Sequence, residues 1–228
     1  MCGTYAFRKA PREVRALLRE GWHPMDIPED AWMPSYKVKP SQAAPVIVGA
    51  LEPQVIRMRW GLLPHWMREK GKAQINAKSE TAAEKPMFRQ AMRHTRCVVL
   101  CDGFYEPEGK RQPRPWHFFQ RPGSELMGLA GIYTWSEQGN DGSAGFAILT
   151  TEPNPVVAPI HDRMPVILPQ DSWRAWLNEA IPPEDVAPLC HPSLSPDLEG
   201  WKVSDDAKKP SAPDGPGCIE PTKGLFPN

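Results

Sequence analysis

The sequence predicts an α+β fold in which short strands predominate and a few helices flank them. The 28 prolines and 17 glycines divide the chain into short elements, and the apolar runs between them have the length of strands. The segments with helical periodicity flank these runs instead of alternating with them, which is typical of α+β proteins and not of parallel α/β folds.

Three segments have the periodicity of an amphipathic helix, and six apolar runs are typical of strands. In the first helix, Val14, Leu17 and Leu18 share one face. The helices are predicted at Pro11–Glu20, Lys85–His94 and Gln170–Asn178. The strands are predicted at Pro45–Val48, Val55–Trp60, Cys97–Cys101, Leu126–Tyr133, Phe146–Thr150 and Val166–Leu168.

The composition indicates one globular domain without a general affinity for nucleic acid. A chain of 228 residues with 40% hydrophobic residues can bury one sizeable core, so we expect a single domain over residues 1–228 and a monomer. Segment 207–217, rich in proline and glycine, is predicted to be a mobile loop. The 27 basic residues equal the 27 acidic ones, so any nucleic-acid site is expected to be local.

The sequence indicates neither a membrane protein nor a disulfide-bonded one. It has no apolar run of about 18 residues, and it begins with charged residues instead of an apolar signal sequence, so we expect a cytoplasmic protein. Its five cysteines are an odd number without framework spacing, which favours free thiols. Cys97 and Cys101 flank an apolar run typical of a buried strand, so a zinc site there is disfavoured and no metal is expected.

Cys2 is the most informative residue, because removal of Met1 would make it the N-terminal residue. Its small side chain permits methionine excision, and the freed α-amine has a pKa of about 8, so part of it is unprotonated at neutral pH. An amine and a thiol on adjacent carbons can condense with an aldehyde to give a five-membered thiazolidine ring. The alternative is that Cys2 is only a small residue at the start of a strand.

Two further polar residues lie in apolar surroundings where they could serve chemistry. Asn76 follows Ile75 and offers both a hydrogen-bond donor and an acceptor, so it could orient a small polar adduct. Glu106 follows Phe104 and Tyr105, and partial desolvation would raise its pKa and make it a candidate general acid. The alternative for Glu106 is a strand-end carboxylate paired with Lys110 or Arg111.

His161 is the candidate proton shuttle, because imidazole can gain or lose a proton near neutral pH. It precedes Asp162 and Arg163, which could bias its charge. A lone histidine is more often structural, so its candidacy depends on Asn76 and Glu106 in the same chain.

A loop and a helix offer candidate contacts to a single-stranded nucleic acid. Trp66 lies in an aromatic loop with nearby basic residues, a combination that can stack bases, whereas Trp60 is expected in the core. Arg89 and Arg93 are four residues apart on the second predicted helix and, together with Arg96, could form a strip that faces phosphates, unless they belong to an ordinary solvated surface.

Six motifs in order resemble the SOS-response-associated peptidase (SRAP) family, which includes the embryonic-stem-cell 5-hydroxymethylcytosine-binding protein. They extend over nearly the whole chain. The motifs are Met1-Cys2-Gly3, Trp60-Gly61-Leu62-Leu63-Pro64, Ile75-Asn76-Ala77 with Glu80-Thr81, Asp102-Gly103-Phe104-Tyr105-Glu106, Leu149-Thr150-Thr151-Glu152 and His161-Asp162-Arg163-Met164-Pro165. The resemblance implies a curved antiparallel sheet partly closed as a barrel and flanked by short helices.

The resemblance also implies a function in DNA damage. Members capture the aldehyde of an abasic site in single-stranded DNA as a thiazolidine, remove their own first methionine, and can cleave the strand as a lyase side reaction. It implies that Cys2 is the nucleophile, that Asn76 holds the adduct, and that Glu106 and His161 move protons, without a metal or other cofactor. The expected DNA-binding residues are Trp66, Lys78, Arg89, Arg93 and Arg163.

This sequence departs from the family pattern mainly at charged positions. Thr4 stands where arginine often follows Met-Cys-Gly, and Lys78 stands where arginine usually follows Asn-Ala. Pro86 and Pro107 replace a related arginine and a common tryptophan, and the Asn-Val-Ala-Pro segment is Lys37-Val38-Lys39-Pro40 here. Lysine lacks the bidentate geometry of arginine on phosphate, so weaker or differently placed DNA binding is expected.

Two other functions compete with this interpretation. Met1-Cys2-Gly3 also opens N-terminal-nucleophile cysteine amidohydrolases, in which the amine acts as base for its own thiol. A noncatalytic module that binds modified bases is the second alternative. Glutaminase activity would favour the first, and tight base-specific binding after loss of Cys2 would favour the second.

Overall fold

The computed structural model describes residues 2–18, 27–67, 71–111, 114–135 and 144–222, and it has the predicted α+β architecture. Its strands are β1 Tyr5–Phe7, β2 Ser35–Val38, β3 Ala43–Val48, β4 Gln54–Trp60, β5 Asn76–Lys78, β6 Arg96–Cys101, β7 Gly103–Pro107, β8 Trp116–Gln120, β9 Met127–Thr134, β10 Gly145–Thr151, β11 Met164–Pro165, β12 Ile167–Leu168 and β13 Glu199–Val203. Its α-helices are α1 Pro11–Leu18, α2 Ser79–Ala82, α3 Arg89–His94, α4 Trp173–Leu177 and α5 Pro183–Val186. Short 3₁₀ turns connect several of them.

Five strands form a closed barrel, which confirms the predicted curved and closed sheet. The strands follow one another in the order β4-β3-β6-β9-β10, and β10 pairs back onto β4. The closing pair is parallel, with Gly145 opposite Arg59, and the other pairs of the ring are antiparallel. A Cβ at Gly145 would collide with the carbonyl oxygen of Gly61, so the absence of a side chain permits this closure.

A second, antiparallel sheet lies beside the barrel and has the order β13-β8-β7-β1-β2. Its central strand β7 pairs with β1 through Phe104 opposite Tyr5. A Cβ at Gly103 would overlap the ring of Phe118, so this glycine allows the aromatic side chain to cross the start of β7. Cys2 lies three residues before the start of β1, and β7 carries Glu106 near its end. The two neighbouring antiparallel strands therefore bring these residues to one end of the sheet.

Tryptophans cover the outer side of the barrel. Trp176 on α4 is fully buried and donates its indole N–H to the carbonyl of Cys97, over 2.9 Å. All six residues of β6 are buried, because the strand lies between the barrel interior and this helix. Trp60 is also buried, as predicted, and its indole N–H donates to the carbonyl of Ile75 over 2.8 Å. This last bond fixes the backbone just before Asn76.

The helices begin or end at different residues from those predicted. Helix α1 extends to Leu18, and the last two residues of the predicted helix lie outside the described part of the chain. The second predicted helix is confined to Arg89–His94, because residues 85–88 form a separate turn around Pro86. The third predicted helix is divided into a 3₁₀ turn at Gln170–Ser172 and α4.

The segment predicted to be a mobile loop makes several contacts with β2 and its neighbours. The ammonium of Lys37 donates to the carbonyls of Lys209, at 3.2 Å, and Ala212. The Asp214 carboxylate accepts from the backbone N–H of Tyr36 over 2.8 Å. These bonds attach the segment to the second sheet, while its mobility stays a prediction. None of the helices in the described ranges is long and apolar enough to cross a bilayer.

Candidate active site

Cys2 lies in a fully buried position at the entrance to β1. Its thiol donates to the carbonyl of Thr4 over 3.6 Å. Burial strongly raises the pKa of the thiol, and the negative charge of Glu106 raises it further. The thiol is therefore protonated at neutral pH, and it needs a nearby base in order to react as a thiolate.

Asn76 holds the backbone of Cys2. It opens β5, which pairs in parallel with β10 through Asn76 opposite Ile148, and its Nδ2 donates to the Cys2 carbonyl oxygen over 2.7 Å. Its Oδ1 is buried and has no hydrogen-bond partner among the described residues. One end of the amide is thus occupied by Cys2, and the other is an acceptor available to a bound group.

Glu106 is a fully buried carboxyl on β7. Burial is the largest influence on it and raises its pKa to about 7. Its alternative as a partner of Lys110 does not hold, because the Lys110 ammonium lies 2.9 Å from a carboxylate oxygen of Asp162. A carboxyl with this pKa populates both its protonated and its ionised form at neutral pH, as a general acid and base must.

His161 faces Glu106. Its Nε2 lies 3.7 Å from Oε2 of the carboxylate, and its Nδ1 lies 3.0 Å from both the backbone nitrogen and the carbonyl oxygen of Arg163. Nδ1 accepts from the Arg163 N–H in one tautomer and donates to the Arg163 carbonyl oxygen in the other, so the Arg163 backbone orients the ring in both. Burial lowers the pKa of the imidazole, which favours the neutral ring at physiological pH.

A bidentate ion pair holds the His161 segment against the element that follows Asn76. The two terminal guanidinium nitrogens of Arg163 lie 2.7 and 2.9 Å from the carboxylate oxygens of Glu80 on α2. The hydrogen bond from Arg163 lowers the pKa of Glu80. The same guanidinium donates to the carbonyl of Thr150 on β10. Arg163 therefore bridges three elements around the site, and its predicted contact with DNA stays a prediction.

The other predicted DNA-binding residues lie at the surface. Trp66 is 65% exposed in a short 3₁₀ turn. Lys78, Arg89 and Arg93 are all exposed, so their side chains are accessible to a nucleic acid. By contrast, Arg96 is 3% exposed, and its guanidinium donates to four backbone carbonyls. It is a structural residue and does not extend the arginine strip of α3.

Sequence reasoning missed one charged neighbour of the site, Arg114. It precedes β8 in the hairpin that connects β7 to β8. Burial raises the pKa of Glu106, and the positive charge of Arg114 opposes this with a smaller lowering. Burial lowers the pKa of His161, and the charge of Arg114 lowers it further. No motif or periodicity distinguishes this arginine from others in the sequence. Only the folding of the hairpin brings it near the carboxyl.

The structure thus brings together the four residues predicted to carry the chemistry. Asn76 contacts Cys2 directly, the charge of Glu106 acts on the Cys2 thiol, and His161 faces Glu106. Among the described residues, no three histidine, cysteine, aspartate or glutamate side chains are placed to hold a metal ion. The arrangement offers a buried thiol beside an acid–base pair, which is suited to additions and eliminations at a carbonyl carbon.

Comparisons with known proteins relate the chain to one family. Residues 1–210 match the model of the family described as SOS response associated peptidase. The chain is similar to the abasic site processing protein YoqW of Bacillus subtilis, with 34% identity over 194 residues that cover 81% of this chain and 85% of the relative. It is also similar to the abasic site processing protein HMCES of Xenopus tropicalis, with 29% identity over 84% of this chain and 70% of the relative.

The solved structures that resemble the chain have the same fold. A Bacteroides thetaiotaomicron protein superimposes with a TM-score of 0.79 at 24% identity, over 97% of this chain and 100% of the other. A Bordetella bronchiseptica protein superimposes with a TM-score of 0.68 at 23% identity, over 89% of this chain and 100% of the other. The barrel and the adjoining sheet are therefore a known architecture.

Proposed function

Because this chain belongs to the SOS response associated peptidase family, we propose that it processes abasic sites in DNA by capturing them covalently at Cys2. The substrate is single-stranded DNA in which a base has been lost and the sugar has opened to an aldehyde. The relatives named abasic site processing proteins support this substrate class. The observation that carries the proposal is the buried pair of Glu106 and His161, 3.7 Å apart, beside the cysteine held by Asn76.

The reaction begins with the release of Met1. Hydrolysis of the Met1–Cys2 peptide bond consumes one water, frees methionine and leaves Cys2 with an α-amine of pKa about 8. The amine adds to the aldehyde carbon, a C–N bond forms, and the aldehyde oxygen takes a proton. A further proton on that hydroxyl lets it leave as water and gives an iminium ion. The thiol sulfur then bonds to the same carbon and loses its proton, which completes the thiazolidine.

Glu106 supplies and removes the protons of this sequence. In its protonated form it donates to the departing hydroxyl, and the resulting carboxylate accepts the proton of the Cys2 thiol. A pKa of about 7 allows both roles at neutral pH. The raised pKa of the thiol makes such a base necessary, since the buried thiol does not ionise by itself. The carboxyl thus returns to its starting state at the end of the reaction.

Asn76 and His161 act on the position and on the fate of the adduct. The Asn76 amide holds the Cys2 carbonyl and offers its Oδ1 to the amine or to a sugar hydroxyl. The neutral His161 ring can take a proton from the sugar carbon next to the iminium, which leads to β-elimination and strand cleavage. It can also return a proton during ring opening, so reversal of the crosslink passes through the same residue.

The proposal is tested by incubating the protein with a single strand that contains one abasic site, and separating the products under denaturing conditions. A stable protein–DNA complex is expected with the abasic strand and not with an intact strand. Cys2→Ala should abolish it. Cys2→Ala and Cys2→Ser both retain the amine, so each should give only an imine, which survives denaturation only after borohydride reduction. If Cys2→Ala forms the stable complex as well as the parent does, the proposal is wrong.

The same experiment separates the competing functions. An N-terminal-nucleophile amidohydrolase would release ammonia from glutamine and would form no DNA complex. A noncatalytic module would bind a strand with a modified base as tightly after Cys2→Ala as before. Either result, together with the absence of a crosslink, would replace abasic-site capture as the function.

A further inference from the structure

Arg114 differs from the other arginines near the site in what its guanidinium contacts. Arg163 pairs with Glu80, and Arg8 pairs with the buried Asp102 over 2.7 Å. Arg114 makes no ion pair with any described residue, and its Nε is buried without a hydrogen-bond partner there. The Arg114 side chain is partly exposed, although its Nε is buried, and no described carboxylate forms an ion pair with its guanidinium.

The hairpin between β7 and β8 fixes where this charge lies. Just beyond the paired residues of β7 and β8, the Glu108 N–H donates to the Pro115 carbonyl over 2.8 Å and extends the pairing of the two strands into the hairpin. The Gly109 N–H donates over 3.0 Å to the carbonyl of Ile160, the residue before His161. The hairpin therefore rests directly on the His161 segment, and Arg114 is close enough to act electrostatically on Glu106 and His161.

Lys39, a cation near Thr4, is already engaged. Lys39 lies 3.4 Å from the hydroxyl of Thr4, the position where the family pattern often has arginine. However, its ammonium donates to the carbonyls of Ala207 and Lys208. Thr4 itself carries no charge. Arg114, by contrast, lies beside the acid–base pair and makes no ion pair with a described residue.

The substrate class favours a cation at this place. An abasic sugar in a DNA strand retains the phosphates on its two sides, so a sugar bonded to Cys2 brings these phosphates close to the site. A guanidinium binds a phosphate through two parallel hydrogen bonds, and arginine is favoured wherever such recognition is needed.

We propose that Arg114 binds one of the two phosphates that flank the captured sugar, and so supplies in this chain the phosphate contact that Thr4 lacks. This inference rests on the proposed function, because it names a binding residue for the same substrate. It predicts that Arg114 orients the aldehyde towards the Cys2 amine without taking part in the bond-forming steps.

The test combines protein variants with strands that carry one neutral methylphosphonate, placed 5′ or 3′ of the abasic sugar. Wild-type protein should crosslink more slowly on one of these two strands. Arg114→Gln should crosslink about tenfold to a hundredfold more slowly on the ordinary strand, and should lose no further rate on the strand to which the wild type is sensitive. Arg114→Lys should recover part of the rate because it keeps the charge and loses the fork.

Arg12→Gln is the matched control, because Arg12 is an exposed arginine on α1, beyond the far end of β1. It should crosslink at the wild-type rate. If Arg114→Gln fails to fold by circular dichroism, Arg114→Lys and the two modified strands still decide the question, since only a phosphate contact makes the two losses non-additive.

Two outcomes would overturn the inference and leave the function intact. In both outcomes the wild type forms its complex. In the first, Arg114→Gln crosslinks at the wild-type rate. In the second, each modified strand slows Arg114→Gln by the same factor as it slows the wild type. If the wild type forms no complex with any abasic strand, the proposed function itself fails. The two failures are therefore distinguishable in one experiment.

Discussion

The buried carboxyl of Glu106 makes the stability of the folded chain dependent on pH. Burial raises its pKa from the ordinary value of 4.5 to about 7, so the folded state binds this proton more tightly than the unfolded chain does. The stability that the proton provides is fully present below about pH 4.5, is lost as the pH rises, and is gone above about pH 7. At 1.36 kcal/mol for each pKa unit, the loss is about 3 kcal/mol.

Glu106→Gln removes this dependence, because glutamine has a similar shape and no ionisable proton. We therefore expect the variant to gain stability relative to the wild type as the pH is raised from about 5 to about 8. A domain of this size shifts by about 2–4 °C for each kcal/mol, which gives a relative gain of about 5–12 °C in unfolding midpoint.

The measurement is thermal or urea unfolding of both proteins across this pH range, with Glu84→Gln as the control. Glu84 is an exposed carboxylate, so its variant should follow the wild type at every pH. Parallel curves for the wild type and Glu106→Gln would show that the buried carboxyl titrates near its ordinary value, and would remove the physical basis for its role as an acid at neutral pH.

Three further results are expected. Glu106→Gln should crosslink more slowly by about 10²-fold or more yet approach the same endpoint, whereas His161→Ala should chiefly slow reversal and strand cleavage. Time courses followed by a chase with excess unlabelled strand measure both effects. Unchanged rates would mean that the two residues have structural roles only. Glu80→Gln and Arg163→Gln should each reduce the crosslinking rate. The double variant should crosslink no more slowly than the slower single variant, because both substitutions break the same ion pair. Additive losses of rate would contradict this. Noncovalent affinity for single strands should fall with a log–log salt slope shallower than about −3, at about −0.7 for each phosphate contact; a slope near −6 would contradict the charge distribution described above.

The fold class and most barrel strands could be predicted because long apolar runs determine them. Strands β6, β9 and β10 differ from their predicted bounds by one residue at each displaced end. The second sheet was harder to predict, because β1 has only three residues and β7 begins at Gly103. Its strands depend on pairing between distant segments, which local patterns do not encode.

The site was also predictable in part. Motifs identified Cys2, Asn76, Glu106 and His161, but the contacts among them depend on where β1 and β5 begin and where β7 ends. The sequence did not predict that Glu80 would hold Arg163, because the two are far apart in the chain. No sequence pattern identified Arg114 as a neighbour of the site, since only the hairpin that leads into β8 brings it close to Glu106.

The most direct test of covalent capture is the mass of the N-terminal peptide after the complex formed on an abasic strand is digested with protease and nuclease. We expect a peptide that begins at Cys2, lacks Met1 and carries the sugar aldehyde with the loss of one water. Borohydride should leave this peptide unchanged, because both the amine and the thiol are bonded to the same carbon. A linked peptide that retains Met1, or a sugar attached to a lysine elsewhere in the chain, would contradict it.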